Sequence, residues 1–159
     1  MHSHSLIDRG VFNGENILLA EDSENDVLIM RSALERAGVP NPLKVVTDGE
    51  EAVAYLAGQG KYSDRVVYRL PVVLFLDLNM PKQGGLEVLQ WLRQQSALKR
   101  MSVHILSASI RETDVSKAAE LGANSYIIKP SKFSDLVTML KAWYALTQFQ
   151  AQMLPGEPS

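Results

Sequence analysis

The stretch Val72-Val-Leu-Phe-Leu-Asp-Leu-Asn-Met-Pro81 decides the fold. Residues 72–76 are apolar throughout, with no alternation, as in a central parallel strand covered by helices on both faces. The run ends at a carboxylate, Asp77, and the chain then turns through Asn79 and Pro81 to Gly84-Gly85, where a helical pattern begins. Ligands in open α/β sheets bind beyond the carboxyl ends of the strands, so Asp77 stands where such a crevice would lie.

Working outward, four more short β-rich runs occur at Ile17–Ala20, 43–47, 103–106 and Ser125–Ile128. The run at Ile17–Ala20 is also apolar throughout. Helix-period segments separate them. Val27, Met30, Leu34 and Ala37 form one apolar stripe, stopped by Gly38 and Pro40; Ala52, Val53 and Leu56 form a second, ended by Gly58. Leu86, Leu89, Leu92 and Arg93 follow the Gly84-Gly85 pair. Val115, Ala118, Ala119 and Leu121 form the fourth stripe, and Phe133, Val137, Leu140 and Tyr144 begin the fifth. Five β-α repeats predict a doubly wound α/β domain with right-handed crossovers, over residues 15–153. Residues 1–14 read as an N-terminal arm, 59–70 as a polar loop insertion and 154–159 as a flexible tail. A loop of that kind is either a partner-binding element or a tolerated surface insertion.

Composition narrows the function. The 159 residues suit one domain, and 46% hydrophobic with 21% charged residues is ordinary for a soluble protein. No apolar run nears the roughly 18–20 residues of a membrane span, and the N-terminus lacks a signal-peptide pattern, so a cytoplasmic location is expected. With no cysteine, disulfides, thiolate catalysis and cysteine-based zinc sites are excluded. The net charge of −2 argues against a generally basic nucleic-acid surface. His2, His4 and His104 have no mutual metal-ligand spacing.

The first strand runs directly into Glu21-Asp22, as the third runs into Asp77. Alone, Asp22 reads as a helix N-cap and Asp77 as a turn residue. If the two strands are neighbours, three carboxylates meet in one crevice, where their repulsion calls for a cation. Oxygen ligands with room for retained waters suit Mg2+, and the turn after Asp77 would let the Asn79 backbone carbonyl face it.

This ordered set resembles the receiver domains of response regulators: an acidic pair after the first strand, Leu-Asp-Leu-Asn-Met-Pro after the third, Ser107-Ala108 after the fourth and Lys129-Pro130 after the fifth. The resemblance implies a flavodoxin-like sheet of strand order 2-1-3-4-5. It makes Asp77 the acceptor of a phosphoryl group from a sensor histidine kinase or a small acyl phosphate. Mg2+ is expected on Asp22, Asp77 and the Asn79 carbonyl, with Glu21 acting through water. Lys129, aimed by a cis bond to Pro130, and Ser107 would contact the phosphoryl oxygens. Tyr126 matches the family's aromatic switch position, although a half-buried strand tyrosine is an equal reading. Asn79 and Ser109 fall where the family tunes phosphoaspartate lifetime. Gly84 departs from the Asp or Asn of many relatives.

Output is expected through protein contacts. Between Ser134 and Met153 only Asp135 and Lys141 are charged, and Met139, Ala142, Leu146, Phe149 and Met153 trace a second apolar stripe. One domain buries one face of a helix, so this stripe predicts a homodimer or another partner surface, with packing on its own domain as the plain alternative. The insertion and the extended last helix resemble single-domain regulators serving phytochrome-type kinases. A histidine phosphotransfer protein is a further candidate partner. Three other readings compete. A phosphatase of the haloacid dehalogenase type would want an acid where Asn79 stands. A flavodoxin would want a phosphate loop where Glu21-Asp22-Ser23 stands. A degenerate receiver would lack part of the acidic, hydroxyl and lysine set.

Overall fold

The computed structural model describes residues 15–153; the expected arm at 1–14 and tail at 154–159 lie outside the described residues. In chain order the elements are β1 (Ile17–Ala20), α1 (Glu24–Arg36), β2 (Leu43–Val46), α2 (Gly49–Ala57), β3 (Val73–Leu76), α3 (Gly85–Gln94), β4 (Ser102–Ser107), α4 (Glu112–Glu120), β5 (Ser125–Ile128) and α5 (Phe133–Met153). All strand pairs are parallel and the order is β2-β1-β3-β4-β5, as expected.

Alternate residues of the uniformly apolar strands serve opposite layers, which is why β1 and β3 need no polar face. Leu18, Ala20, Leu74 and Leu76 pack with Ala52, Leu56, Val88, Leu89 and Leu92 under α2 and α3. Ile17, Leu19, Val73 and Phe75 pack with Met30, Leu34, Leu136, Val137 and Leu140 under α1 and α5. The cap of α1 is Ser23 rather than Asp22: its side chain accepts from the Asp26 N–H. Asp48 caps α2, and Gly58 closes that helix in the left-handed region at φ 70°.

Two expected stripes are revised. On α4 only Ala118 is buried, while Val115 and Ala119 face solvent. This helix covers the sheet beside its edge strand, β5, where little apolar surface is available. On α5, Phe133 is 41% exposed, and the buried side begins at Leu136.

Segment 59–70, expected to be a loop insertion, is anchored to the domain. A single 3-10 turn, Gly60–Ser63, buries Tyr62, whose ring lies 4.9 Å from Tyr55 and 5.0 Å from Tyr68. The Tyr62 hydroxyl donates to Glu51 Oε2 at 2.7 Å, and Arg65 donates to the carbonyls of Leu56 and Tyr68 at 2.8 and 3.0 Å. Exposed apolar side chains occur at its tip, Val66 and Val67, and at its end, Leu70.

Between α5 and the middle of the sheet, Trp143 of α5 meets Phe75 edge-on at 4.9 Å and donates from Nε1 to His104 Nε2 at 3.2 Å. The accepting Nε2 puts the imidazole proton on Nδ1, which lies 2.6 Å from the Ser125 hydroxyl. Burial pushes the His104 pKa down to about 4. The unfolded chain takes up a proton near pH 6.5 and the folded one does not, so His104 lowers stability as pH falls from 6.5 towards 4, by roughly 3 kcal/mol in total. In urea unfolding, the stability of the wild type relative to His104→Gln is therefore expected to shrink by that order between pH 7 and pH 4.

Candidate functional site

Register brings the acidic residues together. Ala20 of β1 lies opposite Leu76 of β3, so Glu21 and Asp77 leave adjacent strands side by side. The Asp77 N–H donates to the Ala20 carbonyl at 3.1 Å and the Glu21 N–H to Val46 at 2.9 Å, carrying the sheet pattern one residue into the crevice. Both side chains are buried, at 2% exposure for Glu21 and 6% for Asp77, while Asp22 is open to solvent. One carboxylate oxygen from each of Glu21, Asp22 and Asp77 lies within 4.8 Å of the others. Three hard oxygen donors on one side of an open crevice suit a divalent cation that keeps waters.

Lys129 completes the cluster from the end of β5. Its N–H donates to the Ser107 carbonyl at 2.8 Å, which extends the β4–β5 ladder and brings its stem to the crevice. Its ammonium donates to Glu21 Oε1 at 2.7 Å, Asp26 Oδ2 at 2.8 Å and Asp77 Oδ2 at 3.4 Å. The expected cis bond to Pro130 is not present: among the described residues every peptide bond is trans. Strand pairing and a four-carbon stem suffice to reach the carboxylates. Burial opposes the charge on Lys129, yet the hydrogen bonds to Asp26 and Glu21 and the charge of Asp77 raise its pKa. Burial pushes the Glu21 carboxyl up to about 7, with Asp77 adding to the rise and Lys129 opposing it.

Asp26 was absent from the expected set. It sits in the first turn of α1, held by the Ser23 cap, where a carboxylate also favours the helix N-terminus. Its position one turn into the helix beginning beside the crevice is the signal that could have revealed it.

Ser107 is fully buried at the end of β4. Its hydroxyl accepts from the Ser109 N–H at 3.1 Å. The Ser109 hydroxyl donates to Asp114, which Arg111 also pairs at 3.2 Å. Tyr126 is half-buried, and its hydroxyl donates to the Ser109 carbonyl at 2.9 Å, tying β5 to the loop after β4. Asn79 is exposed, and its N–H donates to Asp77 Oδ1 at 3.2 Å. Gly84 replaces a side-chain cap with its own N–H, which donates to Glu87 at 3.3 Å. Gly85 is there for close approach: a Cβ would stand 2.3 Å from the Asp77 carbonyl oxygen.

The sequence of residues 17–141 matches the family model described as the response regulator receiver domain. The chain belongs to that family. The receiver is 37% identical over 125 residues to the response regulator Rcp1 of Synechocystis sp., spanning 79% of this chain and 83% of that one. Its structure is similar to that of the phosphorylated cyanobacterial phytochrome response regulator RcpA, with TM-score 0.78 and 35% identity over 89% of this chain and 99% of the other. It is also similar to the Mn2+-bound form of Rcp1, with TM-score 0.74 and 33% identity over 91% and 99% of the two chains. Among the described residues of this receiver, no helix is long and apolar enough to cross a membrane.

Lys129 is the ammonium that Glu21, Asp26 and Asp77 share, so losing it leaves the buried Asp77 carboxylate without its cation and drives Glu21, already near pKa 7, to take up a proton. Lys129→Met is expected to destabilise the receiver by about 3–5 kcal/mol at pH 7 in EDTA. Urea unfolding with added Mg2+ is expected to recover part of that loss.

Proposed function

We propose that this receiver accepts a phosphoryl group on Asp77 from a sensor histidine kinase and signals through protein contacts. The observation that carries the reading is a buried Asp77 carboxylate flanked by Glu21 and Asp22, with the Lys129 ammonium 3.4 Å away. An Asp77 oxygen forms the new P–O bond, while the P–N bond to the donor histidine breaks and its electron pair leaves with the imidazole. With an acyl phosphate donor, the P–O bond to the acyl group breaks and a carboxylate leaves. Such transfers need placement and charge neutralisation more than covalent help. Glu21, Asp22, Asp77 and the Asn79 backbone carbonyl are the groups that would hold Mg2+, which when bound supplies Lewis-acid neutralisation of phosphoryl charge. Lys129 supplies the second positive charge.

Ser107 and Tyr126 form the switch in this reading. The Ser107 hydroxyl donates to the phosphoryl oxygen and draws inward the loop whose Ser109 N–H it accepts from. The loop then moves, and the Tyr126 hydroxyl on the Ser109 carbonyl carries the movement to β5 and α4.

A phytochrome-type histidine kinase is the proposed donor, supported by the likeness to regulators named for phytochromes. A histidine phosphotransfer protein would meet the same crevice. We assign homodimer formation to the outer face of α5. Leu146, Phe149 and Met153 are 56%, 58% and 68% exposed, and with Met139, Ala142 and Trp143 they border a groove of about 930 Å³. An exposed apolar stripe of this kind is normally covered.

Intact mass after incubation with acetyl phosphate is expected to show one added phosphoryl group with Mg2+, and none without Mg2+ or in Asp77→Asn. No adduct on the wild type from acetyl phosphate or phosphoramidate would leave a partner-binding pseudo-receiver. Light scattering at micromolar concentration is expected to give a dimer for the wild type and a monomer for Leu146→Glu with Phe149→Glu.

A further inference from the structure

We infer that Asp26 is a positioning residue: it fixes where the Lys129 ammonium rests and so sets how readily Lys129 engages a phosphoryl group on Asp77. The inference rests on the receiver reading of Asp77.

A lysine ammonium has three N–H donors, and here they point to Glu21 at 2.7 Å, Asp26 at 2.8 Å and Asp77 at 3.4 Å. The ammonium therefore rests on the α1 side of the crevice, nearer Glu21 and Asp26 than the acceptor. To contact a phosphoryl oxygen it must release one of these partners. Glu21 and Asp77 belong to the carboxylate trio that converges on one point, whereas Asp26 does not. A cation bound by the trio would weaken the hold of Glu21 and Asp77 on Lys129 but leave that of Asp26 in place. Asp26 is thus the restraint that persists when the site is ready to react.

The rest of the geometry makes the restraint adjustable. Asp26 and Lys129 border a small cavity of about 70 Å³, lined otherwise by Leu19, Met30 and Leu106 among others, so the lysine stem has space to shift. The Asp26 side chain is 36% exposed, so solvent screens the pair and its strength is modest. A strong tether would immobilise Lys129; a screened one sets a bias. The backbone of Asp26 is fixed independently by the Ser23 cap, so Asp26→Asn removes charge without removing the turn.

The test uses the full chain, acetyl phosphate and Mg2+, with labelling followed by intact mass over a range of donor concentrations. Asp26→Asn is expected to raise the maximal labelling rate roughly three-fold, as loss of a screened ion pair from the ground state implies. The half-saturating donor concentration is expected to stay unchanged. In EDTA, without donor, the effects of Asp26→Asn and Lys129→Met on the unfolding equilibrium are expected to be non-additive, also by roughly three-fold. A labelled wild type with an unaltered or slower Asp26→Asn, a change confined to half-saturation, or strict additivity in EDTA would each overturn the role of Asp26 alone. A wild type that takes no phosphoryl group would instead remove the receiver reading, and this inference with it.

Discussion

The parallel register of β1 against β3 is the constraint from which the rest of the crevice follows. Pairing Ala20 with Leu76 leaves Glu21 and Asp77 as next-door neighbours at the point where the sheet stops shielding them. Two buried carboxylates at that distance repel, and their burial costs free energy that apolar packing cannot return locally. Relief comes from Lys129, two strands away from β3, and this requires β5 to end level with β4 so that the lysine stem can cross. The site is therefore a property of the sheet as a whole. Its tension persists, because one ammonium serves three carboxylates and the Glu21 carboxyl stays near pKa 7.

The same economy explains the loops. Gly85 admits the α3 N-terminus against the Asp77 carbonyl, where any side chain would collide. Ser23, one residue beyond the acidic pair, caps α1 and leaves Asp22 uncommitted. In the layer under α5, Trp143, His104 and Phe75 bind that helix to the core through a polar contact that works only while the imidazole is neutral. The carboxylate crevice lies past the carboxyl ends of the strands, and the groove beside the exposed α5 face is bordered by Val73, Ser102 and Ser125 at their amino ends.

Most of the architecture was legible in the residues because β1 and β3 are apolar at every position and run straight into acids. The alternation of five strands with five helices follows from that pattern, whereas the strand order, and with it the convergence of Glu21, Asp22 and Asp77, came only through the resemblance to receiver domains. What escaped depends on contacts that have no period. Tyr55, Tyr62 and Tyr68 make an anchored cluster of segment 59–70, but their spacing matches neither helix nor strand. Asp26 shares the first turn of α1 with Glu24, and only the fold distinguishes it by setting it against Lys129. The α4 stripe satisfied helical periodicity, yet periodicity states which residues share a face and says nothing of whether a surface exists to receive it. The Lys129–Pro130 bond was expected to be cis by resemblance and is trans.

The thin seating of α4 has a mechanical meaning. Past its far end, Arg93 of α3 grips the Gly122 carbonyl and Asn124, a clasp between the α4–β5 loop and the neighbouring layer. At its near end, Ser109 and Arg111 link its first turn, through Asp114, to the loop that leaves Ser107. Between these ends a single buried alanine secures it to the core. Segments with few buried contacts cost least to displace. The helix is a lever with a fixed pivot and a light arm, and the arm is fastened to the loop that begins at the crevice.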